Sequence, residues 1–284
     1  MPQHPDIILV TSYTRFDYLR LCLEYLSNAE GIENKQIWLF IDRGRSLVRE
    51  FYEVLADFKH LNIRTTFRPE HNHHGNSYNT LEAYKEAYQT DAKFVFLIED
   101  DVLITNDFFK WHEAVQEKVK PFCSVAYRCS RNSEVRTDIV DPEAFFTSKA
   151  DYASVGVCWR REKLAPIVEH ATTDYYKDCA GYLAKHFPSF ADGYTEQDGM
   201  IQRVLAVTHG VIAWSYVPRC YHIGFAGYNR PRGSTYTSNE LKGIIYDSEK
   251  VREADKDFGD IEPVPRDSPA NWDPARLYRV QHFE

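Results

Sequence analysis

Residues 94–98 (Phe-Val-Phe-Leu-Ile) run without a polar break into three acids, Glu99, Asp100 and Asp101. Five consecutive apolar side chains suit a strand buried on both faces, which belongs inside a sheet covered by helices. Strand and helix patterns alternate around it. Residues 7–11 form an apolar run. Thr14 then reads as a helix cap, with Asp17 in the capping-box position and Leu19, Cys22, Leu23 and Leu26 at helical spacing. Residues 36–41 make a second strand that ends at Asp42 and is closed by Gly44. Leu47, Val48, Phe51, Val54, Leu55 and Phe58 follow as an amphipathic helix, and residues 63–68 as a third strand. A loop, PEHNHHGN, leads to a helix carrying Leu81, Tyr84 and Tyr88. Asp107 opens another helix, through Phe108, Phe109, His112 and Val115. This order predicts an α/β fold with a mixed, mainly parallel sheet and helices on both faces. Ligands of such sheets bind beyond the carboxyl ends of the strands. The TSYTR after strand one, Asp42 after strand two and the three acids then share one rim.

The second half is less regular. Residues 152–159 (YASVGVCW) read as a strand, residues 161–169, 175–187 and 195–207 as helices, and residues 211–216 as a late strand. CYHIGFAGYNRPRG reads as a loop. Beyond Gly233 the chain is polar, with Pro263, Pro265, Pro269 and Pro274, and is expected to be extended over the domain or partly disordered.

Composition narrows the function classes. A net charge of −8 disfavours non-specific nucleic-acid binding, without excluding a nucleic-acid acceptor. Aromatic residues make up 14%, and such side chains serve as stacking faces at carbohydrate sites. The start, MPQHPDIILVTSYTR, lacks a basic region followed by an apolar segment, and no run approaches the ~20 apolar residues of a membrane span. A cytoplasmic location is the expectation. Cys22, Cys123, Cys129, Cys158, Cys179 and Cys220 show no CxxC spacing, so reduced core residues are expected rather than a zinc cage.

Adjacent carboxylates at a rim suit a hard divalent cation such as Mg2+ or Mn2+, or else pair with arginine or cap the following helix. The turn after strand one carries neither GxGxxG nor GxxxxGK[ST]. It offers Thr11, Ser12, Tyr13 and Arg15, which can bond a base and ribose. Asp42 either accepts the ring N–H of a uracil or is a turn residue. His71, His73 and His74 are a second metal site or, more simply, a solvated loop.

The segments IILVTSYTRFDYLRLCLEYL, IWLFIDRG and FVFLIEDDVLITNDFFKW together resemble the donor half of GT-A-type glycosyltransferases, the inverting N-acetylglucosaminyltransferase I and its relatives in particular. The resemblance covers residues 6–112 well and residues 150–230 more loosely. It implies one domain over residues 1–233, with a donor half (1–120), an acceptor half (121–233) and an extension (234–284). It implies that Asp101 binds the metal, that Asp100 contacts ribose or a metal-bound water, and that Glu99 orients the site. Thr11, Ser12, Tyr13 and Arg15 would line the nucleoside pocket, Asp42 would read the base, and Tyr78 or Asn79 would close over the nucleotide. YTEQDGMIQRVL resembles the acidic motif beside the acceptor, which makes Asp198 the general base and Glu196 its alternative, against a reading in which Thr195 caps the helix. SVGVCW resembles the strand below the acceptor, with Trp159 stacking on a sugar or buried in the core. YHIGFAGYNR resembles a late loop in which His222 is a metal ligand, touches the diphosphate or is structural, and Arg230 and Arg232 hold the diphosphate.

The expected activity is therefore inverting, metal-dependent transfer of a hexosyl or N-acetylhexosaminyl group. The donor is a nucleotide-sugar, of the UDP class, and the acceptor a hydroxyl of a glycan, a protein, a small molecule or a modified nucleobase. The alternatives are a non-catalytic binder of sugar nucleotides or carbohydrate, and a metal-dependent nucleotide phosphotransferase or hydrolase, against which the missing P-loop counts.

Overall fold

The computed structural model describes residues 4–42, 47–69, 75–127, 141–149, 152–190, 193–223 and 272–280. The first half alternates as its pattern predicts: β1 (Asp6–Ser12), α1 (Phe16–Ser27), β2 (Lys35–Ile41), α2 (Val48–Leu55), β3 (Ile63–Phe67), α3 (Gly75–Tyr88), β4 (Phe94–Glu99) and, after a short β5 (Val102–Ile104), α4 (Phe108–Lys118). β6 (Cys123–Val125), β7 (Ala144–Ser148) and β8 (Val157–Arg160) follow. Then come α5 (Ala165–Val168), α6 (Thr173–Lys177), α7 (Cys179–His186), α8 (Gln197–Val207), β9 (Ile212–Ser215), β10 (Cys220–His222) and β11 (Tyr278–Arg279).

Among the described residues nine strands form one sheet, in the order β11-β7-β9-β6-β8-β4-β1-β2-β3. The pairs β2–β3, β1–β2, β1–β4, β6–β9 and β7–β11 are parallel, whereas β8 is antiparallel to both its neighbours. The apolar run of β4 is buried on both faces. Val95 and Leu97 pack with α3 and α5–α8, while Phe94, Phe96 and Ile98 pack with α1, α2 and α4. Among the described residues no helix is long and apolar enough to cross a membrane. Cys22, Cys123, Cys158, Cys179 and Cys220 are free and buried, as expected of core thiols; Cys129 lies outside the described residues.

Several expectations are corrected. Thr14 is not the cap of α1: the helix begins one residue later, behind Arg15, with no side-chain cap bond. Thr14 is buried, and its carbonyl accepts the Phe16 N–H at 3.2 Å. The longer turn brings Arg15 over the acids. The strand expected over 152–159 is confined to β8, because Gly156 turns the chain at φ +62°, where a Cβ would lie 2.5 Å from Cys220 Sγ. The helix expected over 175–187 is two, broken at Asp178, whose Oδ1 accepts the Gly181 N–H at 2.9 Å and caps the second. The segment expected as a loop from Cys220 opens with a strand, β10, antiparallel to β5. Three-residue strands carry too little periodicity to be read locally; their register comes from the neighbour.

Candidate active site

The strand order reverses direction between β1 and β4, and ligands of open α/β sheets bind at such a switch point. Backbone bonds gather three loops there. The Asp100 N–H donates to Thr11 O at 3.0 Å and the Asp42 N–H to Ser12 O at 2.9 Å. Ser12 Oγ donates to Asp100 Oδ2 at 2.8 Å. Arg15 forks across the acids, donating through Nη1 to Asp101 Oδ2 at 2.7 Å and through Nη2 to Asp100 Oδ1. Hence Arg15, expected at a nucleoside, is the ion-pair partner of the rim acids in this structure. β10 delivers His222 opposite Val102, which sets its Nε2 3.4 Å from Asp101 Oδ2.

The carboxylates are pushed in different directions. Burial and the charge of Asp101 raise Glu99 to about 8, against a 2.7 Å bond donated by Asn76. Burial raises Asp100 to about 6, although Arg15 opposes it. Burial also works against the Asp101 carboxylate, yet Arg15 and His222 outweigh it and hold the group below the usual carboxylate range. Burial opposes the Arg15 charge too, and Asp100 and Asp101 more than compensate, so its pKa is raised.

Across from these acids, the first turn of α8 presents Asp198. Ser154 Oγ donates to its Oδ2 at 3.4 Å, while Oδ1 is buried with no hydrogen-bond partner among the described residues. Burial raises Asp198 to about 6, and its charge in turn raises Glu99, which places the two acids in one field. Gln197 braces the helix: Ser77 Oγ donates to its Oε1 at 2.8 Å and accepts its N–H at 3.0 Å. Glu196 is the N-cap residue of α8 without a side-chain cap bond, and Thr195 contributes its carbonyl to the Tyr175 hydroxyl at 2.9 Å. Gly199 is packed so closely that a Cβ would lie 1.7 Å from Tyr194 O.

Thr11 and Ser12 are buried, and Tyr13 and Arg15 are half-buried at the same rim. Asp42 is buried, with its Oδ2 against Gly75 at the start of α3. Asn79 has a different position from the one expected. It is 1% exposed, its Nδ2 donates to Phe40 O at 3.0 Å, and its Oδ1 accepts from Arg68 at 3.4 Å. With both ends of its amide engaged inside the fold, it braces β2 rather than facing a nucleotide. Tyr78 packs on Tyr176. Trp159 is the core tryptophan of the two alternatives, fully buried with its Nε1 donating to the Tyr84 hydroxyl at 3.0 Å. Arg230, Arg232, His71, His73 and His74 lie outside the described residues. Asn76, Ser77, Ser154 and Gln197 had no local signal, since each acts on a partner distant in the chain.

Among the described residues no three histidines, cysteines or acids gather as a ligand cluster. The smaller set Asp101 and His222 nevertheless fits Mg2+ or Mn2+. Asp101 Oδ1 is buried with no hydrogen-bond partner among the described residues, His222 turns its Nε2 to the same carboxylate, and a buried anionic oxygen left unpaired is costly. Such ions take few protein ligands when substrate phosphates complete the shell.

No family model and no curated protein matches this sequence. Solved structures do match. S. aureus TarS 1-349 in complex with UDP-GlcNAc superposes with a TM-score of 0.53 over 91% of this chain and 68% of that one, at 15% identity. TarS 1-349 in a second crystal structure gives 0.50 over 78% and 61%, also at 15% identity. An active-site mutant of LgtC gives 0.50 over 84% and 95%, at 10% identity. The fold is GT-A. At these identities the likeness is one of architecture. This chain spans 61% of TarS 1-349 in the second of these structures.

Proposed function

We propose that the chain is an inverting glycosyltransferase that takes a sugar from a nucleotide-sugar, of the UDP class, and passes it to an acceptor hydroxyl. The observation that carries this reading is the convergence of two unlike carboxylate sites on one switch point. Support comes from Asp101, held as an anion by Arg15 and His222, and from Asp198 on α8, whose pKa is raised to about 6 and whose charge reaches Glu99 of the same acid run.

Each residue has a separate task. The turn Thr11–Ser12–Tyr13 and Asp42 hold the nucleoside, with the Asp42 carboxylate accepting the uracil ring N–H. A divalent cation held by Asp101 and His222 would neutralise charge on the departing diphosphate. Asp198 takes the proton of the acceptor hydroxyl as its oxygen attacks the anomeric carbon, and the C1–O bond to the nucleoside diphosphate breaks on the opposite face. A carboxylate with a pKa of about 6 is ionised at pH 7 and still binds a proton well enough to accept one. Glu99 keeps its proton more readily and orients the Asn76 amide. Buried reduced thiols fit a reducing compartment, and we place the activity in the cytoplasm.

The test is a thermal-shift series with UDP, GDP, UDP-GlcNAc and GDP-mannose, with and without Mn2+. A UDP compound at 100 times its Kd should stabilise the fold by about 2.7 kcal/mol. Asp101→Ala should remove that stabilisation. The reading is rejected if no nucleotide or nucleotide-sugar shifts the melting temperature under any of these conditions.

A further inference from the structure

We propose that Arg15 is a resident counter-ion which a divalent cation displaces from Asp101, and which then moves to the diphosphate of the donor. This inference rests on the donor reading above and adds a switch to it. Asp100 and Asp101 are 1% and 5% exposed, adjacent in sequence, and both bonded by the one guanidinium. Without Arg15 the two carboxylates would face each other buried and unneutralised, so the acids need a cation whether or not substrate is present.

The pairing is incomplete in a way that marks where a second cation fits. Arg15 and His222 Nε2 both approach Oδ2 of Asp101, while Oδ1 of the same carboxylate is buried without a hydrogen-bond partner among the described residues. The acids are fixed and the arginine is the adjustable member. Asp100 is tied through its N–H to Thr11 and through its carboxylate to Ser12, and the Asp101 carbonyl accepts the Ile223 N–H at 2.9 Å. The Arg15 side chain is 22% exposed, on the turn between β1 and α1, over the Tyr18 ring. A divalent ion on Asp101 repels a guanidinium on the same carboxylate. The diphosphate that arrives with the ion offers the planar, two-point partner that arginine prefers. Arg15 thus exchanges one pair of anionic oxygens for another without leaving the rim.

Electron paramagnetic resonance of free Mn2+, titrated into the full chain without nucleotide, tests this. Arg15→Gln should bind Mn2+ at least tenfold more tightly than the wild type, and Asp101→Asn on that background should abolish the gain. UDP should raise the Mn2+ affinity of both proteins, through the phosphate oxygens, and by at least threefold more in the wild type than in Arg15→Gln. Arg15→Lys keeps the charge without the fork and should fall between the two, which covers a poorly folded glutamine variant. Equal Mn2+ affinity in the wild type and both Arg15 variants overturns the displacement while leaving nucleotide binding, measured separately by calorimetry, as the support of the donor reading. Failure of UDP to bind any of the proteins overturns the donor reading and the hand-over together.

Discussion

Asp101 and Asp198 have the same side chain and opposite shifts, and environment alone separates them. Arg15 and His222 keep Asp101 ionised despite its burial, whereas at Asp198 burial prevails over the side-chain and backbone bonds from Ser154, and the charge of Glu196 adds to it. Turnover that depends on ionised Asp198 should fall about tenfold per pH unit below pH 6 and level off above it; a kcat/KM profile flat down to pH 5 would reject Asp198 as the base. Asp198→Asn should lower kcat by about 10²–10⁴ and leave UDP affinity, read by calorimetry, within about twofold. The same shift has a stability consequence. Asp198 ordinarily titrates at 3.8 and in the fold at about 6, so between these values the folded state holds a proton that the unfolded chain has released. Stability is fullest below pH 4 for this group and declines as pH rises through 6. The melting temperature of Asp198→Asn should therefore exceed that of the wild type by more at pH 7 than at pH 4. The acids themselves were legible as motifs. Their proton affinities were not, because these depend on Arg15, Ser154 and His222, which are distant in sequence.

The elements that aim these residues are held by contacts few in number and long in range. α8 points Asp198 at the rim because Ser77 of α3 bonds both the side chain and the N–H of Gln197, and because Gly199 admits the Tyr194 carbonyl. Gly199→Ala should displace the first turn of α8, costing about 1–3 kcal/mol in urea denaturation and lowering kcat more than donor affinity. Ser77→Ala leaves buried polar groups of Gln197 without partners and should cost about 1–3 kcal/mol by the same measurement. The helix was readable from its apolar spacing, but its brace, 120 residues away, was not. The short pair β5–β10 tells the same story: it sets His222 beside Asp101, and neither strand is long enough to show a pattern.

Across the whole molecule, the segment 272–280 is bound to the sheet. Trp272 is buried and its Nε1 donates to Asp107 Oδ2 at 2.6 Å, which also accepts from Arg219 Nε at 2.9 Å. The Arg219 side chain, fully buried, lies over the rings of Trp111 and Trp272, and β11 adds to the edge of β7. Trp272→Ala should cost about 3–5 kcal/mol, measured by urea unfolding, because it opens a cavity and strips Asp107 of a donor. From polar, proline-rich composition this part of the chain was expected to lie extended over the domain or to be partly disordered, and the apolar Trp272 and Leu277 are what bind the described portion. The alternating pattern of the first hundred residues determined the parallel half of the sheet and the rim carrying the acids, because burial on two faces imposes a periodicity that any window of sequence displays. Tertiary structure alone decided that Arg15 grips those acids, that Asn79 turns inward and that α8 faces the rim, because ion pairs, buried amides and helix braces join residues that only the folded chain brings within reach.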